Sequence, residues 1–112
     1  MADKIARVYV SSTNVLSVDP DPIPCDRGRH DMDIEWQIAT SGWKFTRTGI
    51  AHKDNDDGTF HHPQSGDFVF HWINRNHHAR RYRYTVNVIS TDGKTSLTLD
   101  PAIQNHGDSV DT

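Results

Sequence analysis

The chain has 112 residues, 12.7 kDa, and a formal charge of −3 with pI near 6.2. That length supports one domain with one core, and the charge excludes general affinity for phosphate backbones. A single cysteine, Cys25, excludes an internal disulfide, and no stretch approaches the roughly 18 apolar residues of a membrane span.

Helix-building residues are almost missing: leucine occurs only at 16, 97 and 99, and Glu35 is the sole glutamate. Period-two alternation takes their place. In "KIARVYV", Ile5, Arg7 and Tyr9 oppose Ala6, Val8 and Val10. "NVLSV" then runs into "DPDPIP", whose prolines interrupt any ladder. "DMDIEWQIAT" sets Met32, Ile34, Trp36 and Ile38 on one face against Asp31, Asp33, Glu35 and Gln37. "GWKFTRTGI" predicts a further strand, followed by a long polar loop with a short strand near Phe60 and a hairpin signal at Asp57-Gly58.

"DFVFHWIN" alternates Phe68, Phe70 and Trp72 against Val69, His71 and Ile73. "RYRYTVNVI" follows, with Tyr82, Tyr84, Val86 and Val88 opposite Arg81, Arg83, Thr85 and Asn87, and the two are expected to form a hairpin with the rings inward. A "DGK" turn leads to the last expected strand, "TSLTLD". The expected organisation is therefore one sandwich domain over 1–100 and a polar, mobile tail over 101–112. Seven or eight short strands of this kind predict an all-β, two-sheet Greek-key sandwich, with an immunoglobulin-like sandwich as the alternative.

Pro22, Ile23, Gly28 and Trp36, within "SVDPDPIPCDRGRHDMDIEWQI", together with "RYRYTVNV", resemble the corresponding motifs of the cupredoxins over about residues 15 to 90. The resemblance implies a cupredoxin-like sandwich. It does not bring the copper: Val86 stands where the ligand cysteine would, "NVISTDGK" holds no histidine or methionine, and "QIATSGWKF" holds no histidine.

Eight histidines raise a metal reading, for which His61, His62, His71, His77 and His78 are the candidates. Adjacent histidines on a strand point to opposite faces, so neither "HH" pair is a ready chelate. "KDNDDG" fails as a calcium loop, since Lys53 and Gln64 fall where aspartate and glutamate are needed. Arg75, Arg80, Arg81 and Arg83 form a basic stretch with no acid between 68 and 91, but strand alternation separates its charges from its rings. Of the tryptophans, Trp36 and Trp72 are expected in the core and only Trp43 at the surface.

Cys25 with His30 is the sole arrangement that suggests a thiol enzyme, with Arg27 and Arg29 able to lower the thiol pKa. No nucleophile elbow or phosphate-binding glycine loop accompanies it. The expectation is a cytoplasmic, bacterial-type, non-catalytic binding or assembly module without a cofactor. Its contact surface is expected at one loop end, with Trp43, His77, Arg80 and Arg81, and its partner is a protein or a second copy rather than a membrane or nucleic acid.

Overall fold

A computed structural model describes residues 2–108. Ten strands and no helix occur among them: β1 (Lys4–Val10), β2 (Leu16–Asp19), β3 (Ile23–Cys25), β4 (Met32–Ile38), β5 (Trp43–His52), β6 (Phe60–Gln64), β7 (Val69–Asn74), β8 (Ala79–Ser90), β9 (Ser96–Leu99) and β10 (Ala102–His106). One sheet has the order β2-β1-β4-β7-β6 and the other β3-β10-β8-β5, with β9 continuing along β8 beyond β10. Both are mixed: β1 runs parallel to β4, and β3 parallel to β10. The all-β, two-layer expectation is met.

The alternation read from the sequence decides what lies between the layers. Ala6, Val8 and Val10 of β1, Met32, Ile34 and Trp36 of β4, and Tyr82, Tyr84, Val86 and Val88 of β8 are all buried, while Arg81 and Arg83 face water. Each aromatic side chain removes about 150–250 Å² from solvent, so these rings dominate the core. The Trp36 indole N–H donates to the Tyr84 hydroxyl at 3.1 Å and links the sheets across their interior. A buried bond of this kind contributes about 1 kcal/mol net, and losing one partner strands the other.

Five expectations need correction. β7 pairs with β4 and β6, and β8 with β5, β9 and β10, so the loop between β7 and β8 crosses from sheet to sheet instead of closing a hairpin. Asp57-Gly58 likewise turns a crossing segment between β5 and β6, with Gly58 at φ +72°. A turn residue reports a backbone dihedral, which a crossing and a hairpin share. By contrast, the turn around Asp92-Gly93 does join the antiparallel pair β8 and β9.

Phe68 lies outside the core at 55% exposure, because β7 begins one residue later and Phe68 belongs to the preceding loop. Trp72 is only half-buried. Finally, residues 101–106 are no tail. Pro101, Ala102, Ile103 and Asn105 are buried, and β10 fills the gap between β3 and β8. Five residues with a buried asparagine carry too little apolar pattern to announce a central strand. The remainder of the expected tail, 109–112, falls outside the described residues.

Candidate metal centre

Three loops meet at one end of the sandwich: 26–31 between β3 and β4, 75–78 between β7 and β8, and 107–108 after β10. Their backbones are joined by side chains that a core does not ordinarily contain. Asn74, Asn76 and Asn105 are each fully buried. Asn74 and Asn105 exchange amide bonds of 2.7 and 2.9 Å. Asn76 donates through Nδ2 to the carbonyls of Asp26 at 2.6 Å and Arg29 at 2.7 Å, and its Oδ1 accepts from the Gly107 N–H at 3.1 Å. One side chain thus touches the first loop and the third while its own backbone forms part of the second.

Asn76 does this from φ 55°, a left-handed conformation that asparagine tolerates better than most residues. Gly107 is also left-handed, and a Cβ there would lie 2.5 Å from the His78 carbonyl carbon. Only glycine allows that approach. The Gly28 N–H donates to the Gly107 carbonyl at 2.9 Å and the Asp108 N–H to the His77 carbonyl at 3.2 Å.

On the solvent side of this brace stand His30, His77 and Asp108, all exposed. His30 Nε2 contacts Asp108 Oδ1, and His77 Nδ1 lies 3.2 Å from Asp108 Oδ2. The two imidazoles are 4.5 Å apart between centroids. One ligand atom from each residue lies within 4.8 Å of the other two. Hydrogen bonds from His30 and then His77 hold the Asp108 carboxyl below the usual carboxylate range, so it is available as an anionic ligand. Two imidazole nitrogens and one carboxylate oxygen are a donor set for zinc, nickel or copper(II), with the remaining positions open to water.

Of the five histidines expected to supply a metal site, only His77 belongs to this group. His61 and His62 meet each other through their Nδ1 atoms, contrary to the expectation that strand neighbours diverge. The cause is local: His62 takes φ 52° at an irregularity in the β6–β7 register, which brings the two rings to the same side. His71 lies on the outer face of the first sheet, with Nδ1 3.0 Å from Asp33 and Nε2 3.4 Å from Glu35. His78 is exposed beside His77.

The expected contact surface does not assemble either. Trp43 pairs with Ser90 at the far end of β8, roughly 35 Å along a twelve-residue strand from the end near His77 and Arg80. Arg80 is engaged by Asp56 at 2.9 Å and Asp57 at 3.3 Å and lies over the Tyr82 ring, while Arg81 is exposed. Arg83 binds Asp54 through two nitrogens. The basic stretch, acid-free in sequence, is therefore partly neutralised by the loop between β5 and β6.

His30 and Asp108 are not among the ligands expected from the sequence, where His30 pairs only with Cys25 and Asp108 falls in the expected tail. The available signal was the small or amide residue two or one before each ligand: Gly28 before His30, Asn76 before His77 and Gly107 before Asp108.

The thiol reading meets an obstacle in burial. Cys25 is 0% exposed, and burial pushes its pKa up to about 11 despite the Asn74 amide 3.3 Å from Sγ. In native protein at pH 7.5, iodoacetamide should leave Cys25 unmodified over a period that fully alkylates the urea-unfolded chain, as read by intact mass. Equal rates in the two states would show that the thiol is accessible.

Loops 39–42 and 91–95 lie together at the opposite end of the sandwich, joined by the Thr91 N–H to the Gly42 carbonyl at 2.9 Å. Neither contains a histidine, cysteine or methionine. Among the described residues no helix is long and apolar enough to cross a membrane. No family model and no curated protein matches the chain.

Proposed function

We propose that this protein is a non-catalytic binding module whose ligand is a divalent transition-metal ion, held by His30, His77 and Asp108. The observation that carries the reading is the convergence of these three side chains on loops fastened from beneath by Asn76. Burying an amide is costly unless each polar atom is matched, and here the matched atoms belong to the backbones that present the ligands. A site held this way spends little binding energy on ordering its loops.

The arrangement is of the cupredoxin-like, Greek-key type in this reading, without blue copper. The motif around Pro22, Ile23, Gly28 and Trp36 supports it, as does the passage of the chain from the first sheet at β2 to the second at β3. A free, buried cysteine fits a cytoplasmic setting.

Calorimetric titration of tag-free protein with zinc chloride tests the site. One equivalent should bind, and His30→Ala or His77→Ala should each weaken binding by about tenfold or more, corresponding to about 1.4 kcal/mol. His62→Ala should bind as the wild type does. Absence of saturable heat, or loss of binding on His62→Ala alone, would overturn the assignment.

A further inference from the structure

A second feature lies on the flank of the sandwich, away from the metal ligands. β5 is the edge of its sheet, and its ladder with β8 is interrupted between Phe45 and Ile50. Gly49 packs against Phe45 so closely that a Cβ would be 2.6 Å from the Phe45 Cβ, which draws the bulge toward the core. Facing this edge are the end of β6 and the loop into β7. Between them is a cleft of about 330 Å³.

Its apolar wall is formed by Ile50, Phe70 and Trp72. Trp72 is held in place by its indole N–H, which donates to the Ile50 carbonyl at 2.8 Å. His52 lies alongside, stacked on Phe60 at 3.7 Å between centroids and edge-on to Trp72 at 4.6 Å. Neither ring nitrogen of His52 has a hydrogen-bond partner, though both are buried. Thr46 Oγ1, on the wall of the adjoining hollow, is also buried without one. Native interiors rarely leave such atoms unmatched; the His52 pair lies beside the cleft and the Thr46 hydroxyl beside the other hollow.

The mouth carries charge. Arg47 lines both the cleft and the adjoining hollow of about 580 Å³, and among the described residues no carboxylate pairs with it. Lys44 and Asp67 flank that second hollow and offset one another, so Arg47 contributes the net positive charge. An apolar wall with an unpaired guanidinium at its rim suits an apolar body that carries a carboxylate, since guanidinium binds carboxylate through two parallel hydrogen bonds. The volume is at the lower end of the range of about 300–1,000 Å³ for small-molecule sites and fits a one- or two-ring body.

We infer that this cleft binds a small aromatic carboxylate, with the ring system against Trp72 and Phe70 and the carboxylate on Arg47. The site is independent of the metal ligands. The probe is 1-naphthoate, titrated into 15N-labelled protein without added metal, with 1-naphthalenemethanol as the uncharged analogue of the same ring system.

Naphthoate should saturate and shift the Trp72 indole N–H resonance, leaving that of Trp43 in place. Arg47→Ala, a change at an exposed position, should weaken naphthoate by about tenfold and leave the alcohol unaffected. No saturable shift would overturn the inference. So would a shift centred on Trp43, or equal naphthoate affinity in wild type and Arg47→Ala.

Discussion

Lowering the pH from 7 to 4.5 should cost the folded state roughly 2–3 kcal/mol through His52 alone, and His52→Phe should remove that loss. Burial lowers the His52 pKa from 6.5 to about 3, because the imidazolium would lie among Phe60, Trp72, Tyr84 and Trp36, with no carboxylate paired to it among the described residues. Between these two values the unfolded chain binds a proton that the folded protein refuses. Stability from this group is therefore complete above pH 6.5 and declines by about 1.4 kcal/mol per unit as the pH falls toward 3.

Phenylalanine keeps the stacked ring on Phe60 and has no proton to bind. Urea unfolding at several pH values in both proteins checks the expectation, and the difference between them isolates His52 from the other seven histidines. Parallel curves would mean that His52 is protonated in the native state. The half-buried Asp54 carboxyl, held well below its ordinary range by hydrogen bonds from Arg83, acts in a lower window. Its contribution is present above the ordinary carboxylate pKa and disappears only as the pH drops beneath about 4.

Asn76→Ala should destabilise the fold by about 3–5 kcal/mol, the largest effect expected from any single polar substitution at the rim. Three backbone groups lose their partner at once, the carbonyls of Asp26 and Arg29 and the Gly107 N–H, at about 1–3 kcal/mol each. Alanine at φ 55° adds about 1 kcal/mol of backbone strain. Asn76→Gly separates the two causes: it relieves the dihedral but not the stranded groups, so it should be more stable than the alanine variant by about 1 kcal/mol.

If the asparagine positions the metal ligands, Asn76→Gly should also bind zinc more weakly than wild type although His30, His77 and Asp108 remain. Thermal unfolding and the zinc titration together check both points. An alanine variant within 1 kcal/mol of wild type would show that the loops are held by something else.

The β8 strand was legible because eight residues, Arg81 to Val88, alternate polar side chains with rings or aliphatic ones and leave one physical solution, and β4 for the same reason. Partner choice was not legible. Residues 75–78 and 55–58 have good turn chemistry, which reports how sharply the chain bends but not which layer receives it. β10 was hidden by Asn105, a buried residue whose amide is satisfied only by Asn74, 31 positions away. Such pairing leaves no periodic trace. The metal-ligand group suffered likewise, since His30, His77 and Asp108 come from three separated loops and only the fold brings them together.

The place of β10 between β3 and β8 has a consequence for biosynthesis. The second layer cannot close until residues 102–106 have cleared the ribosome exit tunnel, because they supply hydrogen bonds to both neighbours. A nascent chain stalled before that point presents two unsatisfied strand edges, which makes it a substrate for chaperones and a seed for aggregation.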